Sequence, residues 1–273
     1  MSDFEKKYYE SEAFWVEEAL SDSFNTIRVK ETAAFIPSDV KTLLDVGCGN
    51  GIFTNYLADL RKDINVVGFD RSAEALKYIK TEKMQGDITS ISADDNSFDC
   101  ITCLEVIEHL PIPTYNNALN ELARVSKKYV IVSVPYKEKR KFGLTECPHC
   151  KTIFNREMHL NWFDDQKMVN LFNDYNLTFV KSFTTVNTRL PLGYDLLEKY
   201  RLYKHNIQEF TSPICPVCGY EKINFQTTAA TRLQNPEPRI STRQKFKNAI
   251  KKVWPRGKER PGFWIIALYQ KNI

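Results

Sequence analysis

The chain has 273 residues, of which 42% are apolar and 26% charged, with a formal net charge of +4. These values are ordinary for a globular protein with one large domain plus additions or two small ones, and a charge this mild selects no partner by itself. The longest apolar run, Phe263–Tyr269, falls far short of the ~20 residues of a membrane span, and the N-terminus lacks the apolar stretch of a signal peptide, so a cytoplasmic protein without a transmembrane segment is expected.

Residues 4–36 read as helical, anchored by Phe4, Tyr8, Phe14, Trp15, Leu20, Phe24 and Ile27. From residue 41 strands and helices alternate. Strands are expected at 42–47, 65–69, 83–86, 98–104 and 129–134, and helices at 51–61, 72–80, 114–126 and 164–175. Two late strands follow at 177–186 and 263–270. Apolar strands alternating with amphipathic helices imply an α/β fold, a parallel sheet covered on both faces. The expected organisation is an N-terminal helical lid (1–40), a core (41–136), an insertion (137–163), a core helix and strand (164–186), a second insertion (187–260) and a last core strand (261–273).

The first strand runs into Leu43-Leu44-Asp45-Val46-Gly47-Cys48-Gly49-Asn50-Gly51, a turn with three glycines at alternate positions. A strand that stops on glycines and opens a helix presents bare backbone to a ligand. The spacing differs from the G-x-G-x-x-G of dinucleotide-binding domains. It resembles D-x-G-x-G-x-G, motif I of the class I S-adenosylmethionine (SAM) methyltransferases. An acid able to accept both ribose hydroxyls is expected about 20 residues on, at the end of the second strand, and Asp70 stands there, followed by Arg71. Gln85-Gly86-Asp87-Ile88 resembles the family segment whose Asp meets the adenine amino group. Cys103-Leu104-Glu105 ends the fourth strand, where the family lines the other side of the cofactor. The resemblance covers residues 40–136 and the last two strands. It implies a Rossmann-like sheet, mostly parallel with an antiparallel last strand. It also implies that SAM is held by Asp45, Gly47, Cys48, Gly49, Gly51, Asp70, Arg71, Asp87, Ile88 and Leu104. Arg28 is a candidate for the methionine carboxylate, which suits a bidentate guanidinium.

Glu105-Val106-Ile107-Glu108-His109 follows the fourth strand. Two acids and a histidine within five residues are candidates for acid–base chemistry or metal binding. The segment resembles E-V-x-E-H of the ubiquinone-biosynthesis O-methyltransferases and of the small-RNA 3′-end 2′-O-methyltransferases. The first resemblance leaves Glu105 or His109 as a base. The second implies that Glu105, Glu108, His109 and His159 hold a divalent cation, Mg or Mn. A plainer reading has His109 orienting the loop and the acids capping helix ends.

Four of the seven cysteines lie in two Cys-Pro-x-Cys turns, Cys147/Cys150 and Cys215/Cys218. This pattern favours metal-bound thiolates over a disulfide framework. In the class I methyltransferases that the chain resembles, the fifth and sixth strands are parallel and the loops after them leave the same sheet edge, so the resemblance implies that the two pairs meet around one structural zinc. His149, inside the first turn, is expected to be exposed. Cys100 and Cys103, three apart in a strand, are expected on opposite faces. Residues 239–260 are rich in Lys and Arg, and Phe246, Ile250, Val253 and Trp254 fall on one helical face. Such a helix suits peripheral membrane contact through residues 241–254, an RNA phosphate grip, or docking on its own domain. The expected activity is O-methylation of a sugar or other hydroxylated metabolite, a small-molecule or glycan acceptor, free or carrier-linked. The alternatives are a cation-assisted RNA 2′-O-methyltransferase and a non-catalytic SAM-binding or zinc-scaffold protein.

Overall fold

The computed structural model describes residues 23–138, 144–155, 157–185, 188–191, 215, 217–218, 220, 256–260 and 262–272. In chain order the elements are α1 (Ser23–Phe35), β1 (Thr42–Val46), α2 (Ile52–Leu60), β2 (Asn65–Asp70), β3 (Glu82–Gln85), β4 (Phe98–Leu104), α3 (Thr114–Val125), β5 (Ser126–Pro135), β6 (Leu144–Glu146), β7 (Ile153–Asn155), α4 (Asp165–Asn170), β8 (Leu177–Thr185), β9 (Thr188–Pro191), β10 (Arg256–Arg260) and β11 (Trp264–Lys271). Short 3-10 turns occupy Ala75–Tyr78 and Ile107–His109. The chain divides into two compact units. One comprises Met1–Glu138, Met158–Val186 and Gly262–Ile273, the other Lys139–Glu157 and Asn187–Pro261.

The first unit is built on a seven-stranded sheet of order β3-β2-β1-β4-β5-β11-β8. The pairs β1–β2, β2–β3, β1–β4 and β4–β5 are parallel, and β11 runs antiparallel to both its neighbours. The central strands bury apolar side chains such as Leu43, Leu44, Ile101, Ile131 and Val132 because both their faces are covered. On one face Leu44, Val46, Ile101, Cys103, Val132 and Tyr269 pack with Leu119 and Leu122 of α3 and Met168 of α4. On the other, Leu43, Val66, Cys100, Ile131 and Ile266 pack with Val29 and Ala33 of α1 and Phe53 and Leu57 of α2. Cys100 and Cys103 do fall on opposite faces. Leu122 is fully buried. Leu122→Ala is expected to cost about 2–5 kcal/mol, read as a lower denaturation midpoint at unchanged slope.

Three expectations need adjusting. The helix expected at 72–80 is only the 3-10 turn Ala75–Tyr78. Asn55 ends it by donating Nδ2–H to Tyr78 O and accepting from Lys80 N, which returns the chain to β3. The helix expected at 164–175 is regular only to Asn170. The Tyr269 hydroxyl donates to Met168 O at 2.5 Å, taking the carbonyl that the next helical turn would use. In the segment expected as a lid, α1 is a core layer of the sheet, its Phe35 ring 4.7 Å from that of Phe183. Residues 1–22, with the anchors Phe4, Tyr8, Phe14, Trp15 and Leu20, lie outside the described residues, as does the basic stretch 241–255.

Within the second unit β6 and β7 form an antiparallel hairpin, and β9 pairs antiparallel with β10. Neither ladder was expected from sequence, because strands of three to five residues carry too little periodicity to read. Among the described residues no helix is long and apolar enough to cross a membrane.

Candidate active site

The sheet order reverses direction between β1 and β4, and ligands of open α/β sheets bind outside the carboxyl ends of the strands at such a point. β1 ends there in a turn whose Gly47 and Gly51 have φ of +75° and +81°. A Cβ on Gly47 would lie 2.4 Å from Val106 Cγ2, and one on Gly51 2.5 Å from Ile79 Cδ1, so both positions require glycine. The turn is tied to β2, because Gly47 N and Cys48 N donate to Phe69 O at 2.7 and 3.1 Å. Gly49 N donates to Asp70 Oδ2 at 2.9 Å, and Ser72 N to Asp70 Oδ1 at 2.8 Å. Burial pushes the Asp70 carboxyl upward. Each of its oxygens keeps a lone pair beyond these bonds, enough for a diol.

Asp45 lies beneath the turn. Thr54 Oγ1 donates to one of its oxygens at 2.6 Å and Thr102 Oγ1 to the other at 2.8 Å. Burial raises its carboxyl to about 6. The structure therefore makes Asp45 a brace between β1, β4 and α2. Burial also raises the Cys48 thiol, which keeps it protonated. Gly86 N donates to Asp70 O at 3.1 Å, drawing the end of β3 to the end of β2. Asp87 follows, exposed, its Oδ1 accepting from Thr89 N and Oγ1 at 2.9 and 2.7 Å. Arg71, Ile88 and Leu104 are half-buried. Glycines that admit no side chain, beside an acid with open lone pairs at the switch point, fit SAM.

Beyond β4 the chain turns at Glu105, φ +59°. Ser133 Oγ donates to its Oε1 at 2.6 Å, and Arg28 Nη1 stands 4.0 Å from the same oxygen. The Arg28 guanidinium lies over the Trp264 ring at 5.5 Å, and its Nε is buried without a hydrogen-bond partner among the described residues. Glu108 is completely buried, and neither carboxyl oxygen has a hydrogen-bond partner there either. Burial, and then the neighbouring Glu105, push its carboxyl well above the usual range. Burial, and then His159, lower His109 to about 3, so its ring is neutral. The His109 and His159 rings meet edge to face at 4.9 Å. The segment carrying His159 is sewn to the 3-10 turn. Leu160 N and Asn161 N donate to Glu108 O at 2.7 and 2.9 Å, and Asn161 Nδ2 donates to Ile107 O and Leu110 O.

The ligand atoms of Glu108, His109 and His159 lie within 4.8 Å of one another, and Glu105 is not in that group. Three of the four residues expected to hold a cation are thus brought together, while the carboxylate of Glu105 faces Ser133 and Arg28. One carboxyl and two imidazoles suit Mn2+ better than Mg2+, which prefers an all-oxygen shell. His159 Nδ1 lies 2.6 Å from Glu138 Oε2. Glu138 carries no sequence signal, being the single acid in the basic run Lys137-Glu138-Lys139-Arg140-Lys141.

In the second unit the two Cys-Pro-x-Cys turns converge. Cys147 Sγ is 3.7 Å from Cys218 Sγ, and Cys150 Sγ is 3.7 Å from Cys215 Sγ. All four sulfurs lie within 4.8 Å of one another. Tetrahedral zinc with bonds of ~2.3 Å requires sulfurs about 3.8 Å apart, so the thiols fit zinc. Backbone bonds shape each turn, Lys151 N to Cys147 O at 3.0 Å and Cys215 N to Tyr220 O at 2.9 Å. His149 is exposed and stacks on Tyr220.

Residues 18–182 match the model of a family described as a methyltransferase domain. The chain belongs to that family, and with its sheet topology this places it in the SAM-dependent methyltransferase superfamily. An uncharacterized protein of Methanocaldococcus jannaschii is 38% identical over 97 residues, 34% of this chain and 40% of that protein. A ubiquinone biosynthesis O-methyltransferase of Hydrogenovibrio crunogenus is 32% identical over 99 residues, 33% of this chain and 40% of the enzyme. The match thus spans about two fifths of these relatives' length. Among solved structures, a chain from the complex of the Haloferax volcanii Trm112 methyltransferase activator superposes with a TM-score of 0.56 at 15% identity, covering 97% of both chains. The magnesium protoporphyrin IX methyltransferase of Synechocystis, with bound SAH, gives 0.50 at 18% identity over 66% of this chain and 91% of that one. Both likenesses are of fold.

Proposed function

We propose that the protein transfers the methyl group of SAM to a hydroxyl oxygen of a sugar or other hydroxylated metabolite, free or carrier-linked. The observation that carries this reading is the placement of the glycine turn and the Glu108–His109–His159 cluster at the ends of adjacent strands, β1 and β4. The glycine turn and Arg28 would hold the amino-acid end of SAM, Asp70 its ribose and Asp87 its adenine. Bound there, SAM supplies a methyl group already activated by its sulfonium. The protein's part is orientation, exclusion of water and removal of one proton. Glu105, tied to Ser133, orients its neighbours; burial makes the His109 ring a poor proton acceptor, and His159 is the group placed to take the proton. A hydroxylated acceptor agrees with the ubiquinone biosynthesis relatives.

The buried Glu108, whose carboxyl oxygens have no hydrogen-bond partner among the described residues and whose Oε1 stands 3.9 Å from His109 Nε2, favours a second reading, in which a divalent cation on Glu108, His109 and His159 assists methylation of an RNA ribose. Labelled methyl transfer from SAM into cell extract, fractionated into RNA, lipid and soluble metabolites with and without Mn2+, separates the two. Label in lipid or soluble glycan without a cation requirement is expected. Cation-dependent label in RNA would replace the first reading by the second, and no label in any fraction would sink both.

A further inference from the structure

We infer that Glu138 is a positioning residue of this site: it holds His159 as the Nδ1–H tautomer and so presents the Nε2 lone pair to the acceptor hydroxyl. The inference deepens the methyl-transfer reading and rests on it. A carboxylate only accepts hydrogen bonds, so the 2.6 Å contact puts the hydrogen on Nδ1 of the ring. In a neutral imidazole Nε2 then carries the lone pair. The contact is half-sheltered, the side chains of His159 and Glu138 being 13% and 23% exposed, and this sets it apart from an open surface pair.

The backbone builds the pair. β5 ends at Pro135, Tyr136 bridges to Phe163, and Lys137 N donates to Phe163 O at 2.9 Å. Asp165 accepts from both Tyr136 Oη and Lys137 Nζ at 2.7 Å. These bonds zip the segment after β5 to the one that carries His159, and the turn at Lys137, φ +49°, brings Glu138 beside the ring. His159 is in turn packed on His109, so its ring is held from two sides.

In the transfer, the acceptor O–H bond breaks and its proton goes to His159 Nε2. The oxygen forms the new bond to the methyl carbon, and the carbon–sulfur pair leaves with sulfur. Glu138 stabilises the resulting imidazolium through Nδ1–H, as carboxylates do in histidine-based catalysis.

The test uses the full chain with 15N-labelled histidine. It has four histidines, and His159→Asn identifies the relevant signals. Long-range 1H–15N correlation of the wild type is expected to show His159 protonated on Nδ1. In Glu138→Gln the side-chain amide can donate to Nδ1, so a population protonated on Nε2 should appear. Methyl transfer into the active extract fraction should fall about 10²-fold, with SAM affinity by calorimetry unchanged. Glu138→Ala, which removes the partner without adding a donor, should also lose rate and show mixed tautomers. Wild-type transfer combined with an unaltered tautomer and rate in both variants overturns the proposal alone. Absence of transfer by the wild type overturns the methyl-transfer reading, whatever the tautomer.

Discussion

Cys215→Ser is expected to reduce bound zinc from about one atom per chain to none and to unfold the second unit. In this unit the described buried cluster is small, Cys147 and Cys215 with Cys150, Phe154 and Tyr220 around them. Its strands are short, three residues each in the β6–β7 hairpin. Among the described residues, so little apolar surface cannot offset the entropy of ordering these turns and the hairpin. Apparent zinc-binding free energies of roughly 10–16 kcal/mol can. A serine hydroxyl does not ionise at neutral pH, so three thiolates would remain where a structural site needs four ligands. Metal analysis after gel filtration, with limited proteolysis of both proteins, measures the effect. Cuts are expected within 139–157 and 187–261, while the seven-stranded sheet stays resistant. Unchanged zinc content would refute the assignment of this site.

Asp70→Ala is expected to weaken SAM binding roughly 10²-fold or more. A hydrogen bond to a carboxylate contributes roughly 1.5–3 kcal/mol, and Asp70 offers lone pairs for two ribose hydroxyls. The substitution would also release Gly49 N and Ser72 N, which Asp70 now holds, and so loosen the turn itself. Asp70→Asn retains one acceptor and should lose less. Isothermal calorimetry with SAM gives both values. An Ala variant that binds SAM as tightly as the wild type would move the cofactor away from the ends of β1 and β2.

The order of elements was legible because the central strands are buried on both faces, and continuous apolar runs such as Val66–Phe69 and Val130–Val132 have few other fates. The glycine turn was equally legible, since positive φ at Gly47 and Gly51 limits what can stand there. Where local pattern failed, a long-range contact had taken over. Asn55 cut the helix expected at 72–80, and the Tyr269 hydroxyl cut the one expected at 164–175.

The acid Asp70 and each pair of thiols are therefore written into local sequence, because spacing along one strand end or one turn fixes which side chains stand together, whereas the 65-residue separation of Cys150 and Cys215 is bridged only by the fold. The acid–histidine cluster is not so written. Glu105, Glu108 and His109 look alike as neighbours in sequence, and only the fold separates them, tying Glu105 to Ser133 and burying Glu108 with no hydrogen-bond partner among the described residues. Glu138 and His159 are 21 residues apart, and the bridge between Tyr136 and Phe163 makes them a pair. Periodicity reports how a segment meets water, whereas a hydrogen bond between two loops depends on where the sheet sets their ends.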